Sequence, residues 1–136
     1  IETKGACHLD AKMIYKALEG LDLNNLDLII IENVGNLVCP ASFDLGEYAK
    51  IVVLSIAEGS DKPAKYPSIF TKAKGCIVNK MDLLELSNFS LDNFYSDIKK
   101  INPNLSVFEV SATKGQGLIS WLNWLEGLMQ NGEQKI

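Results

Sequence analysis

The chain has 136 residues, enough for one domain with a core of its own. It is 47% hydrophobic and 22% charged with a net charge of −4 and no basic run, so it lacks both the composition of a disordered chain and the footprint of a non-specific nucleic-acid binder. No apolar stretch is long enough to span a bilayer, no signal peptide is visible, and three cysteines form no disulfide framework; a reducing cytoplasm is the expected setting, with neither nucleic acid nor membrane as a partner.

The chain opens at Ile1 in I-E-T-K-G, which reads as the end of a strand entering a loop, so native sequence is expected upstream. Over residues 9–19, Leu9, Met13, Ile14, Ala17 and Leu18 recur at helical spacing, and Gly20 marks a stop. Residues 27–36, D-L-I-I-I-E-N-V-G-N, are the stretch around which the rest is expected to be organised. The unbroken apolar run 28–31 reads as a central strand buried on both faces of a parallel sheet. Open α/β folds place their ligands at the carboxyl ends of such strands. A carboxylate there, Glu32, can hold Mg²⁺, and the N–H of Gly35 can approach a phosphate closely. Residues 36–48 have no clear period and read as an ordered loop of functional length.

Residues 50–56, K-I-V-V-L-S-I, predict a second buried strand, followed by a polar loop over 58–63 and a short helix within 64–73. A third strand over 75–78 leads into Asn79. Residues 91–101 have helical periodicity ended by Asn102-Pro103, and 105–110 predict a fourth strand. Residues 118–129 predict a closing helix whose apolar stripe is Leu118, Trp121, Leu122, Leu125 and Leu128. The domain is thus expected to span 1–129, with a polar tail over 130–136. Strands alternating with helices mean βαβ units: an α/β fold with a mostly parallel sheet and helices on both faces.

Asn79-Lys80-Met81-Asp82 follows the third strand directly and matches N-K-x-D, the base-recognition motif of GTP-binding proteins. Guanine offers two adjacent donors, its ring N1–H and its 2-amino group, and one carboxylate such as Asp82 accepts from both. Adenine has neither, so it is rejected by a site left with unpaired acceptors. Lys80 can lay its alkyl stem along the base, and Asn79 can brace the loop. The next strand ends in Ser111-Ala112-Thr113, similar to the S-A-K segment by which these proteins offer a backbone N–H to the guanine carbonyl; Thr113 stands where Lys is usual. No G-x-x-x-x-G-K-S/T phosphate loop occurs in the chain, although phosphoryl transfer requires one, and the expectation is that it lies upstream.

Cys7-His8 precedes the first helix, and Cys39-Pro40 lies in the loop after the stretch 28–32, all on the ligand-facing side of the expected sheet. Two thiolates and an imidazole suit Zn²⁺ or Ni²⁺ and leave a position open. Cys76, inside a strand, is expected in the core.

Residues 5–11, G-A-C-H-L-D-A, and 32–46, E-N-V-G-N-L-V-C-P-A-S-F-D-L-G, resemble the HypB family, GTPases that deliver nickel during nickel–iron hydrogenase maturation. E-G-S-D-K-P at 58–63 and the N-K-M-D motif continue the match; the urease accessory GTPases are a poorer one. The resemblance implies a P-loop NTPase domain of the SIMIBI type lacking its first strand and phosphate loop. It implies GTP or GDP with Mg²⁺ as ligands, hydrolysis of GTP in the intact protein, and a homodimer when GTP is bound. It further implies a Ni²⁺ or Zn²⁺ site at the dimer interface from Cys7, His8 and Cys39, a γ-phosphate switch over Glu32 to Gly35, and nickel-insertion accessory proteins and the hydrogenase large subunit as partners. The alternative is a non-enzymatic module that binds metal and dimerises.

Overall fold

A short helix forms where the sequence supplies its cap. In a computed structural model that describes residues 1–3 and 5–132, α1 (Ala11–Leu18) begins after Asp10, whose carboxylate accepts from the Met13 N–H at 2.8 Å. The chain divides into two compact units, Ile1–Tyr48 and Ala49–Ile136. In the first unit α1 buries Ile14, and Leu9 is buried just before it. A turn of 3₁₀ helix covers Leu23–Asn25. A second short helix, α2 (Cys39–Ser42), starts with a proline in its first turn, where the missing N–H costs nothing, and buries Pro40 and Ala41.

The second unit carries a three-stranded parallel sheet in the order β1 (Ile51–Ser55), β2 (Gly75–Asn79), β3 (Ser106–Glu109). Register pairs Val52 with Cys76, Leu54 with Val78 and Val78 with Glu109. Between β1 and β2 lie 3₁₀ residues Ile56–Glu58 and helices α3 (Lys62–Lys65) and α4 (Pro67–Lys72). A 3₁₀ segment Met81–Leu86 and α5 (Leu91–Ile101) connect β2 to β3, and α6 (Leu118–Gly132) closes the unit.

Side chains alternate across a strand, so one sheet face presents Val52, Leu54, Cys76, Val78 and Glu109 and the other presents Phe108. Tyr95 of α5 donates to Glu109 at 2.6 Å, which puts α5 on the first face. Phe108 meets Trp121 and Trp124 of α6, with ring centroids 5.4 and 5.2 Å away, so α6 covers the second. Phe70 of α4 and Phe94 of α5 are wholly buried, and truncating either to alanine removes ~3–5 kcal/mol. Asn102 ends α5 and ties it to α4 by donating to the carbonyls of Phe70 and Ala73, each at 3.0 Å.

The helix and strand expectations over 50–129 hold within a residue or two. Ordered helix also fills part of the expected polar loop, through α3. The closing helix runs three residues past its expected end, and residues 133–136 of the expected tail lie outside the described residues. The inward stripe of α6 includes the half-buried Trp124, while Leu122 is 51% exposed and points away. The correction of substance concerns residues 28–32. They form no strand and sit outside the sheet, with Ile30 79% exposed. A strand exists through its ladder partners, and no strand is described in the first unit to supply them. Ile29 and Ile31 instead line an open groove of about 420 Å³ with Leu9, Ile14 and Leu18. No helix among the described residues is long and apolar enough to cross a membrane.

Candidate functional site

Two clusters carry the residues singled out from the sequence, one in each unit. In the second unit, the turns that follow β2 and β3 are laced together by side chains. Asn79 Oδ1 accepts from the Lys80 N–H at 2.7 Å and from the Ala112 N–H at 3.1 Å. Asp82 Oδ1 accepts from the hydroxyl of Ser111 at 2.6 Å, and Thr113 Oγ1 lies 3.4 Å from that same hydroxyl. The Met81 N–H donates to the Val110 carbonyl at 3.0 Å. Ser111 is fully buried, whereas Lys80, Asp82, Ala112 and Thr113 are exposed.

Lys80 adopts φ +67°, the left-handed region, and is the one non-glycine residue to do so among those described. That turn directs the chain sharply from β2 into the 3₁₀ segment. Gly117 closes the other loop at φ +74°, where a β-carbon would fall 2.0 Å from the Glu109 carbonyl oxygen. Asn79, Lys80, Asp82, Ser111, Ala112 and Thr113 are therefore brought together where β2 and β3 end. The Ala112 N–H, one of the donors the sequence offers to a guanine carbonyl, is engaged by Asn79 here.

The second cluster lies within the first unit. Cys7 Sγ is 3.7 Å from His8 Nδ1. Sulfur and nitrogen ligands on one tetrahedral zinc stand about 3.6 Å apart, from bond lengths of about 2.3 and 2.0–2.1 Å. Neighbours in sequence can thus share an ion here. The imidazole of His8 stacks on Phe43, with centroids 3.6 Å apart and planes 11° from parallel, which fixes the ring. A hydrogen bond with Cys7 holds the Cys39 thiol above its ordinary range. Both thiols are in contact and free of disulfide. Among the described residues no set of three or more histidine, cysteine, aspartate or glutamate side chains is gathered closely enough to enclose a metal ion. Cys7 pairs with His8 and with Cys39, and the three do not close around one point.

Glu32 and Gly35 belong to the same unit and are exposed. A β-carbon on Gly35 would meet nothing within 4 Å, so local packing does not demand a glycine there. Sequence reasoning passed over two asparagines beside them. Asn33 Oδ1 accepts from the N–H groups of Leu9 and Val34 at 2.9 and 2.8 Å. Asn36 bonds the backbone of Cys7 and of Cys39. Only the local half of this had a signal: an asparagine whose side chain takes the N–H groups two and three residues on is a turn pattern.

The family profile "CobW/HypB/UreG, nucleotide-binding domain" matches residues 1–109. The hydrogenase maturation factor HypB of Escherichia coli K12 is 49% identical over 126 residues, 93% of this chain and 43% of that protein. The probable hydrogenase maturation factor HypB of Methanocaldococcus jannaschii is 41% identical over 93% of this chain and 57% of its own length. The chain therefore spans about half the length of these relatives. Among solved structures, HypB from Helicobacter pylori in complex with nickel superposes with a TM-score of 0.92 at 40% identity, covering 97% of this chain and 63% of that one. HypB from Archaeoglobus fulgidus gives a TM-score of 0.87 at 40% identity, over 95% and 63%.

Proposed function

The chain belongs to the CobW/HypB/UreG family, with the P-loop GTPase type of α/β fold and its similarity to HypB, and from that premise we propose that it is the guanine-reading and metal-carrying part of a nickel-delivery GTPase. The lacing of two loops through Asn79–Ala112 and Asp82–Ser111 carries the first half of this reading. Asp82 accepts from guanine N1–H and the 2-amino group, Lys80 covers the base with its stem, and Ser111 to Thr113 supply the backbone edge. A carboxylate has lone pairs enough to keep Ser111 and still accept from the base.

Cys7, His8 and Cys39 are the metal ligands in this reading, and their soft donor set suits Ni²⁺ or Zn²⁺ as cargo. Because the three do not close around one point within a chain, two chains brought together by GTP share them across a homodimer interface. Glu32, an exposed carboxylate, offers the hard oxygen that Mg²⁺ takes, and this ion would neutralise phosphate charge when bound. The alternative role for Glu32 is to orient the attacking water; in either case the Gly35 N–H meets the γ-phosphate. Hydrolysis of GTP is assigned to the whole protein, since these 136 residues contain no phosphate loop. Accessory proteins of nickel insertion and the hydrogenase large subunit are the partners, in the cytoplasm.

Calorimetry tests this in a full-length protein carrying the chain, titrating Ni²⁺ with GDP or a non-hydrolysable GTP analogue bound. Tighter nickel binding with the GTP analogue, lost in Cys7→Ala and Cys39→Ala while GDP affinity stays near wild type, is the expected result. Equal nickel binding in both nucleotide states removes the coupling, and undiminished binding in both mutants removes the metal site.

A further inference from the structure

Asn36 touches the backbone of both cysteines. Its Nδ2 donates to the Cys7 carbonyl at 2.7 Å, and its Oδ1 accepts from the Cys39 N–H at 2.8 Å and the Val38 N–H at 3.1 Å. Three residues earlier, Asn33 holds the Leu9 N–H at 2.9 Å. The carbonyl before His8 and the N–H after it are thus both gripped by one short stretch. A side-chain amide is planar and carries its donor and acceptor at fixed positions. Spanned by such a group, the gap between the Cys7 carbonyl and the Cys39 N–H is set by the size of one amide rather than by two flexible loops.

We infer that Asn36 is a positioning residue, whose amide sets the separation of Cys7 and Cys39 and so readies the two thiols to grip a soft divalent cation. The inference rests on the reading of Cys7 and Cys39 as metal ligands. Asn36 itself touches no cation; it acts through the backbone of two residues that do. Removing hydrogen bonds that orient metal ligands weakens affinity by about 10- to 100-fold.

Asn36 also serves the entry to α2, because its Oδ1 takes two N–H groups there, and the test must separate that job from positioning. Serine does so: its hydroxyl can still take the Val38 or Cys39 N–H in the same kind of turn, if more weakly than asparagine, but it is too short to reach the Cys7 carbonyl as well. Ni²⁺ is titrated into wild type, Asn36→Ser and Cys39→Ala, following thiolate-to-nickel charge-transfer absorption and recording each melting temperature. Asn36→Ser is expected to melt like wild type, to bind nickel about 10- to 100-fold more weakly and to show an altered band. An unaltered affinity and band overturn the positioning role and leave the metal reading standing. A weakening that tracks a fall in melting temperature also overturns it, since Asn36 then acts through folding alone. If wild type and Cys39→Ala behave alike, it is the metal reading that fails, and a metal-free arm decides on Asn36. In glutathione redox buffers each Cys7–Cys39 disulfide formed reduces one oxidised glutathione to two thiols, so the disulfide fraction reports the effective concentration of the pair. Asn36→Ser is expected to lower it by about 2- to 10-fold, the worth of one or two hydrogen bonds; an unchanged fraction overturns the inference.

Discussion

The hydroxyl of Ser111 donates to Oδ1 of Asp82 at 2.6 Å, joining residues 29 apart in the sequence. Ser111 is fully buried, so the exposed carboxylate is aimed from beneath by a hydroxyl that solvent does not reach. A short O–H···O⁻ bond of this kind is stronger than one between neutral groups. The loops after β2 and β3 are thereby tied into one unit.

Asp82→Ala in a full-length protein carrying the chain is expected to weaken GDP by roughly 10- to 100-fold, since an acceptor for two donors is worth ~1–3 kcal/mol. ADP should not bind better. Ser111→Ala, which leaves the carboxylate but not its anchor, is expected to have a smaller effect in the same direction. Calorimetry with GDP and ADP reads both, and an unchanged GDP affinity in Asp82→Ala takes the residue out of the base site.

Gly35→Ala should leave the fold alone, because the added carbon meets nothing within 4 Å. Its melting temperature is expected within about a degree of wild type, consistent with a surface change of under ~0.5 kcal/mol. If Gly35 is where the backbone meets the γ-phosphate, affinity for a GTP analogue falls while that for GDP does not. Equal changes for both nucleotides would assign Gly35 to general binding.

The three thiols should react in a fixed order. Cys7 is exposed and modifies first. Cys39 is half-buried, and its hydrogen bond with Cys7 keeps it protonated to higher pH, so it follows. Cys76 is buried, and loss of water pushes its thiol up to about 12, so at pH 8 it stays protonated until the unit unfolds. Peptide mapping after timed exposure to a disulfide reagent gives the order. The same shift sets a stability window. An unfolded Cys76 ionises near its ordinary 9.0 while the folded one holds its proton, so this stabilisation is whole below about 9 and is lost between about 9 and about 12.

Gly117→Ala should damage the second unit. At φ +74° an alanine costs ~1–2 kcal/mol by itself. Its β-carbon would also lie 2.0 Å from the Glu109 carbonyl oxygen, so the backbone after β3 must shift. A fall in melting temperature of roughly 5 °C or more is expected in a thermal scan, together with weaker guanine nucleotide binding. A normal melt would mean that the loop has another way to close.

Legibility differed between the two units for a physical reason. In β1 and β2 the short apolar runs and the flanking turns are local, and they agree with the pairing observed. The cluster that laces the two turns together was equally legible, because N-K-M-D and S-A-T fall where β2 and β3 end. Residues 28–31 have the same composition, yet composition states only that a segment can pair; the pairing itself depends on another segment. Trp124 was missed for a related reason. A stripe drawn by spacing alone chose Leu122, whereas α6 is oriented by Phe108, a contact no spacing reveals. The bonds from Asn33 to Leu9 and from Asn36 to Cys7 were hidden because these partners are 24 and 29 residues away.

The left-handed backbone of Lys80 narrows what mutation can place there. Glycine would relax the turn and discard the alkyl stem. A β-branched residue would keep some apolar surface and fit the backbone worst of all. Asparagine tolerates the dihedral but is too short to lie along a base. In the role proposed for Lys80 at the base, lysine is thus a compromise between a conformational demand and a reach demand that pull toward opposite ends of the side-chain size scale. A mutational scan of position 80 should therefore split in two, with small residues ranking high for thermal stability, long straight ones ranking high for nucleotide retention, and few ranking high for both.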